Sequence, residues 1–260
     1  MCELLGLSNE EKIRTSALLT EFFSHACDNP HGWGAAVFED SRPEIVKAPE
    51  SAAESSEAAQ TAERGFDADL LLAHIRYATK GSISMENTHP FVMKDLSGTE
   101  WVLAHNGTIF EGDVLSGYVR GQHGETDSER ILMYFIDSMD SEIRRACSPL
   151  RTSDKARVLK KVLQDITPGN KVNLLISDGR SLYAHTNYRG SLHIIQQGGA
   201  VTISTKPLRS AAAGSWHELP LNTLMVFEKG KLTYRGVPHD NEYFEDEDKT
   251  RMLFLDYASM

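Results

Sequence analysis

Two stretches of the chain, Leu70-Leu71-Leu72-Ala73-His74-Ile75 and Trp101-Val102-Leu103-Ala104-His105, limit what it can fold into more than any others. Both are strongly apolar runs of strand length, and each ends in a polar cluster. They predict strands in sheets whose inner faces pack together, with the chemistry gathered where the strands stop. Further strands and blocks of helix surround them. Leu4 to Leu7 reads as a strand running from the terminus into a core. Ser8 followed by Glu11 has capping-box spacing, and Ile13, Ala17, Leu18 and Phe22 recur at helical intervals, which predicts a helix from about Asn9 to Cys27. Asn29-Pro30-His31-Gly32 breaks it.

Trp33 to Phe38 reads as a strand paired with Glu44 to Ala48. Residues 49–64, rich in Ala, Ser and Glu with hardly a large apolar side chain, predict a solvated helix or loop inserted at the surface, outside the core. Thr126 with Glu129 is a second capping box, opening a helix that buries Ile131, Leu132, Phe135, Ile136 and Met139. Another helix spans Asp154 to Ile166. In the last third, Val172 to Ser177 and Ser181 to His185 flank Asp178-Gly179, a hairpin signal of type I′ chemistry. Ser191–Gln196, Ala200–Thr205, Thr223–Glu228 and Lys231–Arg235 read as strands, the last two joined across Lys229-Gly230. Helices in blocks, without strict βαβ alternation, define an α+β class. No Pro/Gly/Ser linker divides residues 1–260, which predicts a single domain.

The hydrophobic content of 40% supports a substantial core. A net charge of −10, with no local Lys/Arg cluster to offset it, argues against a nucleic-acid partner. No apolar run is long enough to span a bilayer, so no membrane partner is expected. Glu3, Asn9, Glu10 and Glu11 near the start do not make a secretory signal. Cys2, Cys27 and Cys147 are odd in number and widely spaced, which fits a reducing cytoplasm better than a disulfide framework. His74, His89 and His105 lie in separate segments without metal-ligand spacing, so neither a metal nor a cofactor is expected. His74 and His105 read as satisfied core or supporting groups, and Cys27 and Cys147 as small buried hydrophobes. The acidic run from Glu242 to Asp248 reads as solvated surface.

Cys2 carries the candidate chemistry. Its small side chain permits removal of Met1, after which a thiol and a free α-amine share one Cα. That amine, with an ordinary pKa of ~8, can take the thiol proton as sulfur attacks a carbonyl. A cysteine at position two means little alone, but three polar clusters accompany it. His74-Ile75-Arg76-Tyr77-Ala78-Thr79-Lys80-Gly81 continues through Glu86-Asn87-Thr88-His89-Pro90. Arginine at the end of an apolar strand is costly to bury without an anion, which points to bidentate binding of a carboxylate. His105-Asn106-Gly107 sets a side-chain amide beside an unobstructed backbone N–H, two donors for one oxyanion. Gly124-Glu125-Thr126-Asp127-Ser128 places an acid at a helix start, where it offsets the dipole or binds an ammonium group.

In their order, M-C-E-L-L-G, H-I-R-Y-A-T-K-G, N-T-H-P-F, A-H-N-G-T-I and E-T-D-S-E resemble the class II glutamine amidotransferases, members of the N-terminal nucleophile hydrolases. N-L-L-I-S-D-G, V-T-I-S-T-K-P-L and W-H-E-L-P-L-N-T-L-M-V-F are similar to that family's closing strands, so the resemblance spans almost the whole chain. It implies a four-layer αββα sandwich and a γ-glutamyl thioester mechanism. In that mechanism Cys2 attacks the side-chain amide of glutamine, and Asn106 with the Gly107 amide holds the oxyanion. Arg76 receives the α-carboxylate and Asp127 the α-amine, while Tyr77 and Thr79 line the site. Ammonia leaves, and water cleaves the thioester. Lys80 stands where many members have His, and His89-Pro90-Phe91 where many have His-Pro-His. The loop from Asn29 to Gly34 lacks the Arg-Gly of the amino-sugar and purine enzymes and is similar to that of small stand-alone members.

The expected partners are therefore glutamine or another γ-glutamyl amide, together with a separate ammonia-accepting synthase. Two other readings remain open at this stage. One is a hydrolase of a different γ-glutamyl amide using the same chemistry, with residues 49–64 shaping its pocket. The other is a non-catalytic binding subunit of the same fold, against which the complete set Cys2, Arg76, Asn106, Gly107 and Asp127 argues.

Overall fold

Side chains leave opposite faces of a strand in turn, and in this protein the alternation sorts them into three apolar layers. The computed structural model describes residues 2–211, 214–246 and 248. One sheet contains β1 (Glu3–Arg14), β2 (Trp33–Glu39), β3 (Arg42–Ala48), β4 (Asp67–Ile75), β9 (His193–Gln197), β10 (Ala200–Ser204) and β11 (His217–Glu218). Their order is β11-β9-β10-β1-β4-β2-β3. The other contains β5 (Phe91–Lys94), β6 (Glu100–Thr108), β7 (Lys171–Ser177), β8 (Ser181–His185), β12 (Met225–Glu228) and β13 (Lys231–Arg235), in the order β13-β12-β8-β7-β6-β5. Helices α1 (Ser16–Ser24) and α2 (Ser56–Arg64) share a core with the first sheet, and α3 (Asp127–Arg145) and α4 (Thr152–Ile166) share one with the second.

Leu5 and Leu7 of β1 and Leu71 and Ala73 of β4 face the first helix pair. Leu4, Leu70 and Leu72 point the other way and meet Val102, Ala104 and Leu175 from the second sheet. Leu103, Leu174 and Ile176 lie beneath α3 and α4 with Ile131, Leu132, Phe135, Ile136 and Met139. The result is the αββα sandwich that the resemblance implied, and the two apolar runs form its inner strands. No helix among the described residues is long and apolar enough to cross a membrane.

Local signals misled at four places. The helix expected from Asn9 begins at Ser16, because β1 continues to Arg14. Ser8 pairs with Val201 on one side and Leu70 on the other, and its hydroxyl accepts from Gly230 N–H (3.1 Å) instead of capping a helix. Two neighbouring strands outweigh one cap. Within residues 49–64 the helix is α2 (Ser56–Arg64), capped by Ser55, whose hydroxyl accepts from Ala58 N–H (3.2 Å). One face of the segment is not solvated as expected, however: Ala52, ahead of the helix, and Ala58 and Ala62 within it are buried in the core with α1. Alanine is what permits so close an approach.

At Asp178-Gly179, Gly179 alone of the two has positive φ (80°), and Asp178 Oδ1 accepts from Arg180 N–H and Ser181 N–H, so the turn is not type I′. Lys229-Gly230, with φ of 47° and 70°, has the positive values at both positions that type I′ requires. Finally, Cys27 and Cys147 are exposed, not buried.

The face assignment of α2 is testable by urea unfolding. Ala58→Asp, at a fully buried position, should cost ~3 kcal/mol or more, because it buries a charge without a partner. Ala59→Asp, on the exposed side, should cost ~1 kcal/mol or less. Equal losses would mean that the helix has no core face.

Candidate active site

Register places Glu3 opposite Ile75, so Cys2 runs on beside the residues that follow β4. Its thiol donates to the Tyr77 carbonyl (3.3 Å), and its sulfur accepts from Tyr77 N–H (3.2 Å). Burial pushes the Cys2 thiol up, while the Tyr77 N–H and the Arg76 charge oppose that rise. The strand start itself is anchored. Buried Glu3 lies between His25 Nδ1 (2.8 Å) and Lys206 Nζ (2.6 Å), and Leu4 N–H donates to Thr205 Oγ1 (2.9 Å).

Arg76 is 2% exposed. Its guanidinium donates to the carbonyls of Lys80 (2.8 Å), Ser82 (3.0 Å) and Gly81 (3.0 Å) and curls loop 77–82 around itself. The charge that the sequence pairs with a carboxylate thus meets three backbone dipoles as well, which is why it can be buried here. Glu125 fastens the loop from outside, its Oε2 accepting from Ser82 N–H (2.8 Å), Ser82 Oγ (2.7 Å) and Asn87 Nδ2 (3.0 Å). Half-buried Tyr77 and Thr79 lie in this loop, with the Tyr77 ring 5.1 Å from that of His31. His31 Nδ1 accepts from Ala78 N–H (2.9 Å), and burial with the Arg76 charge holds this histidine below its usual pKa.

Asn106 is buried near the end of β6, and its carbonyl accepts from Asn173 Nδ2 (2.9 Å). Next to it only glycine fits. A Cβ on Gly107 would stand 2.0 Å from the Lys171 carbonyl oxygen and 2.5 Å from His105 Nε2. Asp127 is the first residue of α3, whose N-cap Thr126 accepts from Glu129 N–H (3.3 Å). Its Oδ2 accepts from Ile109 N–H (2.7 Å), and the Ile109 carbonyl accepts from Lys80 Nζ (2.9 Å). Ile109 therefore links the Arg76 loop, the strand end carrying Asn106 and Gly107, and Asp127.

His105 Nδ1 lies 3.0 Å from Ser128 Oγ, so this histidine is satisfied at one nitrogen, while its Nε2 has no hydrogen-bond partner among the described residues. His74 is satisfied at neither: its ring nitrogens, like those of His89, have no hydrogen-bond partner among the described residues. The two ring centroids lie 4.1 Å apart with the planes tilted by 34°, and burial with the Arg76 charge draws His74 down to about 3, so it is neutral. Among the described residues no group of three or more His, Cys, Asp or Glu could hold a metal ion.

The sequence reading passed over His31 and Lys171. His31 was visible only as part of a helix-breaking loop. Lys171 had one signal, a lysine heading an apolar strand. It is buried, its Nζ lies 4.2 Å from the centre of the Tyr188 ring, and burial draws its pKa down to about 8.

This layering is that of the N-terminal nucleophile hydrolases. Glutamine phosphoribosylpyrophosphate amidotransferase from B. subtilis shares it, with a TM-score of 0.67 over 93% of this chain at 15% identity. The present chain spans about half of that structure (50%). A predicted glutamine amidotransferase from Pseudomonas aeruginosa, known from a crystal structure, matches with a TM-score of 0.61 and 21% identity over 90% of this chain and 100% of its own. In sequence, an uncharacterized protein of Methanocaldococcus jannaschii is 32% identical over 90% of this chain and 71% of its own length. The family described as glutamine amidotransferases class-II matches residues 1–199, and the chain belongs to that family of enzymes.

The glycine requirement gives a direct test. Gly107→Ala should lower stability by ~2 kcal/mol or more in urea, since the added methyl must displace the β7 backbone. A variant as stable as the parent would show that β6 and β7 separate readily at this point.

Proposed function

We propose that the protein hydrolyses the side-chain amide of glutamine through a γ-glutamyl thioester on Cys2, after removal of Met1. The observation that carries this reading is the Cys2 thiol set against the Tyr77 backbone by the β1–β4 register. The same register brings it to the loop organised by Arg76, which Ile109 ties to Asp127 and to the Asn106-Gly107 strand end. Membership of the class II glutamine amidotransferases supports it further.

The α-amine of Cys2 takes the thiol proton as sulfur attacks the amide carbon. The carbonyl oxygen becomes an oxyanion and receives two hydrogen bonds, from the Asn106 side-chain amide and Gly107 N–H. The C–N bond breaks, the proton held by the amine goes to the departing nitrogen, and ammonia leaves. A water molecule then gives its proton to the amine and attacks the thioester, releasing glutamate and restoring the thiol. Arg76 supplies the positive charge for the α-carboxylate, and Asp127, its carboxylate oriented by Ile109 N–H, takes the α-ammonium. Tyr77 and Thr79 line the space between them. Ammonia passes to a separate acceptor enzyme. Cys2, Cys27 and Cys147 are all unpaired thiols, which suits a cytoplasmic setting.

Three outcomes test this reading. A protein retaining a residue before Cys2, verified by intact mass, should release no ammonia from glutamine, because the catalytic amine is tied up in a peptide bond. Full activity with Met1 in place would overturn the mechanism. Asn106→Ala should lower kcat by ~10²–10³ without unfolding, as loss of one oxyanion donor does. Arg76→Lys should depress kcat/KM for glutamine while sparing amides whose α-carboxylate is blocked, because an ammonium cannot replace the planar fork. If blocked amides proved the better substrates, another γ-glutamyl amide would be the physiological one.

A further inference from the structure

Lys171 heads β7 at the nucleophile's end of the sandwich, and the mechanism above gives it no task. It pairs in register with Thr108, while Val172 pairs with Gly107. Along β7, Val172, Leu174 and Ile176 enter the core under α3 and α4, whereas Leu175 enters the core between the sheets. Alternation therefore turns Lys171, like Asn173, toward the space between the sheets. On β1, Leu4 faces that same space and Leu5 does not, so Cys2 faces it too. Lys171 is 7% exposed, and its ammonium rests on the face of Tyr188, a contact that holds a desolvated cation without neutralising it. Glu245 faces it from the C-terminal segment, with Oε2 accepting from the Tyr188 hydroxyl at 2.9 Å. Tyr243, stacked on Phe110 at 6.0 Å, holds that segment in place.

We infer that Lys171 is a positioning residue for the nucleophile: its buried ammonium, seated on Tyr188 and facing Cys2 across the gap between the sheets, stabilises the thiolate that forms when the α-amine takes the proton. This rests on Cys2 being the nucleophile. Burial lowers the lysine's own pKa to about 8, with Glu245 and then Cys2 opposing the fall, so it is cationic at neutral pH and loses its charge above that value. Other charged and titratable groups lie near the pair. Arg76, from the end of β4, adds positive charge at Cys2 from the opposite side. His31 and His105 are held below their usual pKa by burial. Asp127, from α3, is turned to Ile109 N–H.

The test reads the thiol without substrate. Met1-free protein is alkylated with iodoacetamide across pH, and Cys2 is followed by the mass of the N-terminal peptide, because Cys27 and Cys147 are exposed and react as well. Lys171→Met should raise the Cys2 midpoint by about 1 pH unit, the effect of losing one nearby opposite charge. Alkylation at pH 7 should slow roughly tenfold, and kcat at pH 7 should fall in parallel with KM little changed. Lys171→Arg should restore the parental midpoint. A purely structural lysine would lower the melting temperature and leave the midpoint where it was. Should Lys171→Met fail to fold, Glu245→Gln decides. Removing the carboxylate that supports the lysine's charge should move the alkaline inflection to lower pH. An unchanged Cys2 midpoint in folded Lys171→Met, or an unchanged alkaline inflection in Glu245→Gln, would overturn the inference. Cys2→Ala separates the two readings: persistent ammonia release there removes the nucleophile, whereas its loss beside an unshifted midpoint removes only Lys171.

Discussion

The antiparallel pairing of β1 with β4 is the constraint on which the candidate site depends, because one register sets both Cys2 and the loop against which it lies. Both strands are buried on both faces, so their side chains cannot be exchanged between faces without leaving two cores at once. A slip of one residue would move Leu4, Leu70 and Leu72 out of the layer between the sheets and turn Cys2 away from Tyr77. Glu3 reinforces the register from the opposite face through His25 and Lys206, and Thr205 does so through the Leu4 backbone. Hydrophobic sorting therefore supplies the geometric accuracy that the chemistry needs.

Charge at the site is compensated chiefly by the backbone. Arg76 is surrounded by three carbonyls, Asp127 is met by the Ile109 N–H, and Lys80 is met by the Ile109 carbonyl. Such dipoles help charges to stay buried, and in a dry environment each charge acts strongly on whatever enters. Burial alone pushes the Cys2 thiol up, away from its reactive form. The Tyr77 N–H and the Arg76 charge work against that, so the loop that follows β4 tempers the effect of burial at sulfur.

The residues proposed to carry the chemistry stand out in the sequence, because each lies beside a marker that local physics explains. Cys2 follows Met1 directly, Arg76 ends an apolar strand, Asn106 precedes a glycine, and Asp127 follows a capping threonine. Their supports were not. His31 reaches Ala78, Glu125 reaches Ser82, and Lys171 comes level with Thr108 only through pairings between segments far apart in the chain. The same limit explains the errors in secondary structure. Ser8 and Glu11 satisfy a helix cap locally, but pairing with strands near residues 70 and 201 prevails. The alanines of residues 49–64 read as solvated until α1 is placed against them.

By itself the sequence determined which residues could be inner strands, where the long helices α3 and α4 run and which side chains are chemically suited to thioester formation. These follow from hydrophobic period, capping spacing and side-chain chemistry, all of which act within a few residues. Tertiary structure alone decided that Arg76 would be cradled by carbonyls, that Gly107 would lie against the β7 backbone and that Lys171 would be buried at the start of β7. Those outcomes depend on strand register and on burial. Both are set when distant apolar faces come together, and no local pattern encodes them.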